Sequence, residues 1–510
     1  MATNRKERDM EEKPILVAGA TGYVGSRLIP QLLESGYRIR AMGRSLMNLT
    51  RRPWGRHPAV ELAQGDVLDL ESLIQAASGC SKAFYLVHSM MARKKHFAEA
   101  DRQAARHMTL AAERAGLERI IYLGGLGEVN FADLSEHLRS RHEVADILRS
   151  GPVAVTCLRA AMILGSGSAS FEILRYLVEH LPIMITPRWV GTPCQPIAIS
   201  NVLHYLQGCL EKDAAKNQTF DIGGPDILTY RDIIGIYAQE ARLYKRILIP
   251  VPVLTPKLSA YWIQFVTPVP ASIAIPLTEG LRVPVICREN RIRSIIPQRL
   301  LSCRETIGLA LQRSDQLRLT NCWAGDGTRL PPEWPYYGDV DYAGGSSIER
   351  GYKIRLQASI EEVWNPIGRI GGKTGWYFAD TLWRLRGVID TWAGGIGMRR
   401  GRRCVSSFSA GNTVDFWRVV EVNAPYFLML KAEMKFPGEA FMEFHVISLP
   451  KGRIELRVIS RFFPRGLAGL VYGFALFPVH EWIFRGMIRA MAKSTGKPAL
   501  TRIVSFNLTE

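Results

Sequence analysis

The sequence predicts an α/β protein in which a doubly wound parallel sheet is followed by a smaller α+β unit. Three observations carry that reading. Short apolar runs alternate with helix-periodic segments from residue 15 to about residue 245, the pattern of β-α-β crossovers. The first of those runs leads through a glycine turn directly into a helix. Beyond a Gly/Pro-rich stretch at 321–345, the pattern changes to strands closed by one long apolar helix.

Ile15-Leu16-Val17-Ala18 reads as a buried parallel strand, and Leu28, Ile29, Leu32 and Leu33 as the apolar face of the helix after it. Between them stand Gly19, Gly22 and Gly25, spaced three apart. Gly19 permits a tight turn, Gly22 lets the backbone approach a pyrophosphate, and Gly25 lets the helix pack close to the strand. With Thr21, Tyr23 and Val24 of the same turn, they form a predicted dinucleotide-binding set. The G-x-x-G-x-x-G spacing resembles the extended and atypical short-chain dehydrogenase/reductases, a Rossmann superfamily.

Tyr37 to Met42 reads as the second strand and ends in Gly43-Arg44. An acid about twenty residues past the glycine turn binds the 2′-hydroxyl of NAD. None stands here, so Arg44, with Arg51 or Arg52 nearby, is read as pairing with the 2′-phosphate of NADP. NADP(H) is therefore the preferred cofactor and NAD(H) the second option. Val60 to Leu62 is a short strand, followed by Asp66-Val67, which the resemblance places beside the adenine ring. A helix cap for Leu68 to Ala77 explains Asp66 as well. Ala83 to Val87 is the next strand, with His88-Ser89 at its C-terminal end, the edge where ligands bind in such sheets. A helix from about Phe97 to Ala115 and a strand from Arg119 to Leu123 follow.

Active members of the resembling superfamily carry a Ser after this strand and Tyr-x-x-x-Lys on the next helix. The lysine lowers the tyrosine's pKa, and the tyrosine exchanges a proton with the substrate oxygen. Here Gly124-Gly125 takes the place of the serine, and His137-Leu138-Arg139-Ser140-Arg141 aligns with Tyr-x-x-x-Lys. On that alignment His137 is the proton donor and Arg141 holds the nicotinamide ribose. The alternative is that both are polar residues on an exposed helix face. Val153 to Leu158, Phe171 to His180, Gln195 to Ile199 and Phe220 to Pro225 extend the likeness. Together they resemble NmrA-like atypical members over about residues 14 to 245. That group contains nucleotide sensors and structural subunits as well as enzymes, so the resemblance leaves function open. Residues 247–276 are apolar but hold six prolines, which leaves no uninterrupted run of the length a spanning helix needs. They read as an irregular wall of the substrate pocket. Arg288 to Gln312 closes the domain.

The expected divisions are a disordered tail at 1–13, the NAD(P)-binding domain with its substrate subdomain at 14–313, a linker at 314–345, a second domain at 346–495 and a terminal segment at 496–510. Gly351 to Gln357 alternates like a strand, Ser359 opens a capped helix, and four antiparallel strands follow between Val414 and Phe462. The closing helix, Leu467 to Ala492, is expected to break at Pro478. This order resembles the helix-grip fold of START-like and polyketide-cyclase-like domains, which implies a cavity for an apolar ligand. Gly371 to Tyr377, Arg399 to Arg403 and Val414 to Val419 resemble an uncharacterised bacterial domain that follows such Rossmann domains. Gly394 to Gly397, before four arginines, reads either as a cradle for an anionic group or as a plain turn. Glu433 is a candidate to point into the cavity, and His480 reads as a structural histidine.

Net charge is +18, from 65 basic and 47 acidic residues, which favours anionic partners such as nucleotides, acidic lipids or a membrane surface. No nucleic-acid module is present. The eight cysteines form no C-x-x-C pair, so neither a zinc site nor a disulfide framework is expected. The first thirteen residues lack the apolar core of a signal peptide. The expectation is a cytoplasmic protein, with peripheral membrane contact as an addition and the oligomeric state unspecified. Two functions remain. One is an NADP-dependent oxidoreductase on a small apolar, lipid- or quinone-like substrate. The other is a non-catalytic dinucleotide sensor or assembly factor that binds a hydrophobic ligand.

Overall fold

A computed structural model describes residues 13–88, 97–127, 135–251, 263–264, 266–312, 330–398 and 408–506. The chain divides into two compact units, Met1–Gly345 and Ser346–Glu510.

The first unit is built on seven strands: β1 (Ile15–Ala18), β2 (Ile39–Gly43), β3 (Val60–Gln64), β4 (Lys82–Tyr85), β5 (Arg119–Gly125), β6 (Ala154–Ala160) and β7 (Thr219–Ile222). They stand in the order 3-2-1-4-5-6-7 and every neighbouring pair is parallel. This is the doubly wound order, with its switch point between β1 and β4, where a ligand crevice opens at the carboxyl ends of the strands. All four residues of β1 are buried, as a central parallel strand requires. The covering helices include α1 (Tyr23–Glu34), α2 (Leu70–Ala77), α3 (Phe97–Ala115) and α4 (Glu136–Arg149). One face of the sheet packs through Leu28, Ile29 and Leu32 of α1, and the other through Ala104, Met108 and Ala112 of α3.

Past β6 the chain builds a second layer over the crevice with α5 (Ala169–His180), α7 (Tyr230–Glu240) and α8 (Ala271–Gly280), while α6 (Ile199–Glu211) packs on the sheet beside α1. The segment expected to be an irregular wall contributes α8 and the strand Ile247–Val251, which pairs in parallel with Ile183–Pro187. Residues 252–262 lie outside the described residues.

Residues 330–345, read in the sequence as part of a linker, are docked on the first unit. Leu330, Trp334 and Tyr336 are buried together. Asp339 grips Arg27 of α1 through two bonds, Nη1 to Oδ1 at 3.0 Å and Nη2 to Oδ2 at 2.6 Å. The carbonyls of Pro332 and Trp334 accept from the same guanidinium. Gly, Pro and Trp in this stretch therefore encode a strap with no regular secondary structure.

The second unit is an antiparallel sheet of β8 (Ile348–Leu356), β9 (Thr413–Val414), β10 (Trp417–Asn423), β11 (Phe427–Ala432), β12 (Gly438–Leu449), β13 (Arg453–Pro464) and β14 (Val504–Phe506). Their order is 9-10-11-12-13-8-14. The helices are α9 (Ile360–Gly368), α10 (Asp380–Trp392) and α11 (Gly466–Ser494). Ser359 and Glu362 form the reciprocal cap of α9 that the sequence predicts. Trp376 fills the interior beside Trp383, Phe416 and Trp417. Contrary to expectation, α11 runs unbroken through Pro478. Proline deprives only the carbonyl one turn back, here Phe474, and that side of the helix is open to water.

Candidate functional site

The glycine turn has the geometry its spacing implies. Gly19 adopts φ +94°, and a Cβ there would meet the Leu86 carbonyl at 2.9 Å. A Cβ on Gly25 would stand 2.3 Å from the Gly19 oxygen, so only glycine lets α1 approach so closely. Gly22 is the N-cap of α1, with no side-chain cap and no acid in the first turn. The positive end of the helix is thus left for an external anion.

This turn opens into a cavity of about 1480 Å³. Gly19, Thr21, Gly22, Tyr23, Val24, Arg44, Asp66, Val67, His88, His137 and Arg141 all line it. Gly25 does not; it acts behind the turn. Arg44 is exposed at the rim, and its guanidinium has no ion-pair partner among the described residues. Arg52 is not its helper. Its Nη2 donates to the Thr21 carbonyl at 2.6 Å and its Nη1 to the Tyr337 carbonyl at 3.1 Å, tying the glycine turn to the strap. Asp66 is not a helix cap either. Asp69 caps α2 by accepting from the Glu71 and Ser72 amides. Asp66 accepts from the Leu68 amide. Ser89 lies outside the described residues.

At the far side of the crevice the structure assembles a chain of three groups. Asp101 of α3 is buried, and its Oδ2 stands 3.2 Å from His88 Nδ1 and 3.1 Å from the Ser140 hydroxyl. His88 Nε2 stands 3.0 Å from His137 Nδ1, with the two rings 4.8 Å apart. His137 and Arg141 thus lie on a face of α4 turned to the cavity, not to bulk solvent. Arg141 packs over the Tyr122 ring, and its Nη1 donates to the Tyr122 hydroxyl at 3.4 Å. Burial holds Tyr122 in its neutral phenol form, against the pull of Arg141.

Burial, reinforced by the Arg141 charge and opposed by Asp101, pushes His88 down to about 4. Burial, then His88 and Arg141, holds His137 well below the usual imidazole range. Both rings are therefore neutral near pH 7, and the network assigns their tautomers. The Asp101 carboxylate only accepts, so His88 carries its proton on Nδ1 and offers Nε2 as an acceptor. His137 then donates from Nδ1, which leaves its Nε2 as an open base.

A pH dependence of stability follows. Below about pH 6.5 the unfolded chain protonates His88, whereas the folded chain resists until pH nears 4. The unfolded state then holds more protons, so this stability is fully present above about pH 6.5 and is lost as pH falls toward 4. The His88 share is about 3 kcal/mol. Denaturant titrations at neutral and mildly acidic pH should show the loss in wild type and a flatter profile in His88→Gln. Equal wild-type stability at both pH values would remove the assignment.

Asp101 and Tyr122 belong to this cluster, and sequence reasoning does not single them out. The available signal for Asp101 is its place on the buried Ala104, Ala105, Met108 stripe of α3, where an acid is out of character. In the second unit, the Gly394 to Gly397 cradle already holds an anion of the chain itself. Asp390 is buried, accepts from the Gly397 amide at 2.8 Å, and leaves no room for a Cβ on Gly395. Glu433 pairs with Arg418 at 2.6 Å. Arg399 to Arg403 lie outside the described residues. No group of side chains suited to a metal ion is found among the described residues.

Comparison with known proteins separates the two units. Residues 19–175 match a family described as NAD(P)H-binding, and residues 342–487 match a family described as protein of unknown function (DUF2867). Cinnamoyl-CoA reductase 2 of Arabidopsis thaliana is 28% identical over 124 residues, 24% of this chain and 37% of that protein. The mitochondrial NADH dehydrogenase (ubiquinone) 1 alpha subcomplex subunit 9 of the same plant is 23% identical over 243 residues, 46% of this chain and 60% of that protein. The chain thus spans less than two thirds of the length of these curated relatives. Among solved structures, Citrobacter sp. triphenylmethane reductase is 20% identical, with a TM-score of 0.47 over 59% of this chain and 99% of that one. The NADPH-dependent quinone oxidoreductase of Escherichia coli is 16% identical, with a TM-score of 0.46 over 57% and 98%. Residues 19–175 thus carry an NAD(P)-binding Rossmann domain, and residues 342–487 the DUF2867 region.

Proposed function

We propose that the protein is an NADP(H)-dependent oxidoreductase for an apolar, uncharged substrate, with Asp101, His88 and His137 moving the proton. The observation that carries this reading is a single cavity reaching from the glycine turn to the histidine pair and on to an apolar wall. Gly19, Thr21, Gly22, Tyr23 and Val24 would hold the pyrophosphate, Asp66 and Val67 the adenine side, and Arg44 the 2′-phosphate. A nicotinamide bound there supplies or accepts hydride. His137 Nε2 takes the proton from a substrate hydroxyl during oxidation, and His88 with Asp101 stabilises the charge. In the reverse direction the same atom first takes a proton from solvent and then gives it to the substrate oxygen. Hydride and proton together account for the two electrons between carbonyl and hydroxyl.

The wall from Met162 to Val285 supports an uncharged substrate. Leu174, Leu177, Met184, Trp189 and Ile233 are among its lining, which includes no charged side chain among the described residues. A phosphate or carboxylate buried there would lose its water without gaining a partner. A lipid- or quinone-like molecule with one carbonyl or hydroxyl meets no such cost. In the second unit, the sheet with α11 laid across it supports the helix-grip reading, but the indole cluster fills its interior. We therefore place the substrate in the cavity of the first unit. The non-catalytic sensor remains the second reading, favoured by Gly124-Gly125, which put no hydroxyl at the end of β5.

Fluorescence titration with NADPH and NADH tests the cofactor. Wild type should prefer NADPH by about tenfold or more, the worth of one charge-assisted bond. Arg44→Ala should bring the two to parity, and Gly22→Asp should abolish both. Tighter NADH binding in wild type would sink the preference. Oxidation of NADPH should be seen with an apolar quinone or aldehyde and not with a thioester of coenzyme A. NADPH binding without turnover on any uncharged acceptor would give the sensor reading instead.

A further inference from the structure

In the second unit, two helices turn apolar stripes outward. On α11, Val471, Phe474 and Trp482 recur at helical spacing, with Phe474 66% exposed. On α10, Leu385, Ile389 and Trp392 do the same, with Trp392 84% exposed. On α10 and the first half of α11 the usual amphipathic pattern is reversed. Over its first half the inner face of α11 is glycine, and beyond Trp482 it is Ile483, Phe484, Met487 and Ile488 set into the core. A Cβ on Gly469 would meet the Pro437 carbonyl at 2.2 Å, and one on Gly473 would meet Ile348 at 2.6 Å. Phe378, just before α10, packs edge-on against Trp482 at 4.7 Å, so α10 begins beside the α11 stripe.

Charge identifies the occupant. Of the three acids on these helices, Asp390 is buried, Asp380 accepts from the Trp376 amide, and Glu481 pairs with Arg485. Arg384 and Arg489 are exposed and have no ion-pair partner among the described residues. The face is thus apolar with a basic margin and a tryptophan on each helix, in a chain of net charge +18. Apolar side chains, interfacial indoles and arginines are what an anionic bilayer surface accepts, whereas a protein partner would require acids matched to those arginines. The helix α11 is long and apolar enough to cross a membrane, but its glycine face is fixed on the sheet, so it can lie on a bilayer and not span one.

We infer that the exposed stripes of α10 and α11 dock this protein on a membrane surface containing anionic phospholipid. The inference stands apart from the reading of the cavity. The full-length protein is mixed with vesicles of phosphatidylcholine alone and of equal parts phosphatidylcholine and phosphatidylglycerol, then sedimented. Wild type should bind the second composition, with a blue shift of its tryptophan emission. Val471→Asp/Phe474→Asp should weaken binding at least about tenfold while its melting temperature holds. If that variant fails to fold, Trp392→Glu alone must show the loss. Wild type that stays in solution with both vesicles overturns the inference, as does a folded variant that binds like wild type. A dimer in solution that the substitutions split, without vesicle binding, overturns it in favour of a second copy of the chain.

Discussion

Asp339→Ala is expected to destabilise the first unit by about 3–5 kcal/mol, the cost of leaving one member of a buried ion pair alone. Arg27 has no exposed surface. Its guanidinium lies between the rings of Tyr23 and Tyr336, 4.2 and 4.5 Å from their centroids. Besides Asp339, it donates to the carbonyls of Tyr23, Ser166, Pro332 and Trp334. Those dipoles orient the cation but do not neutralise it. Removing the carboxylate therefore strands a charge at the point where α1, the 166–168 turn and the strap meet. In thermal unfolding, the transition belonging to the first unit should fall by on the order of 10 °C. That transition is recognised by its rise with added NADPH, because a chain of two units does not unfold in one step. Arg27→Met/Asp339→Leu should recover part of the loss, since the pair is then replaced by apolar contacts. A shift of only a degree or two in Asp339→Ala would show that the carbonyls alone suffice. The strap also forms part of the cavity wall through Gly338, Asp339, Val340 and Tyr342, so the same variant should weaken dinucleotide binding.

What the sequence made legible was local, and what it hid was distant. The glycine turn could be read because the demand on each glycine arises within a few residues: Gly25 against Gly19, and Gly22 at the start of α1. The parallel strands could be read for the same reason, since burial on both faces leaves a run such as Ile15 to Ala18 without polar residues. The strap could not, because Arg27 and Asp339 lie 312 positions apart. Only the presence of an arginine beside Leu28 and Ile29 hints that α1 buries a charge. Arg52 misled for a related reason. Its basic type fits a phosphate, but its position commits it to the Thr21 and Tyr337 carbonyls. The unbroken α11 shows the limit of proline as punctuation, because an exposed carbonyl finds water. The histidine chain was half visible. His88 follows from its place at a strand end and His137 from its alignment, but Asp101 joins them only because α3 and α4 pack together.

Asp101→Asn should lower the rate of hydroxyl oxidation by about two to four orders of magnitude while leaving dinucleotide affinity nearly unchanged. The substitution keeps the shape of the side chain and exchanges an acceptor for a donor. An amide turned to donate at His88 Nδ1 moves the His88 proton to Nε2. His137 Nδ1 must then accept, and its own proton shifts to Nε2, facing the cavity. The open base becomes a donor, and oxidation of a hydroxyl loses its proton acceptor. His137→Ala should show a similar loss, because it removes the last group of the chain. The two variants differ in stability. Asn at 101 still satisfies the Ser140 hydroxyl, whereas Ala at 137 leaves His88 Nε2 without its partner. Nitrogen chemical shifts of the imidazoles, measured without cofactor, report the tautomers directly. Wild type should show His88 protonated on Nδ1, and Asp101→Asn should show the proton on Nε2. A tautomer switch with turnover kept within about threefold of wild type would remove the chain from the reaction. Unchanged tautomers would show that Asp101 does not set them, and the proton would then have to travel through another group in the cavity, for which the Arg141–Tyr122 pair is the nearest candidate.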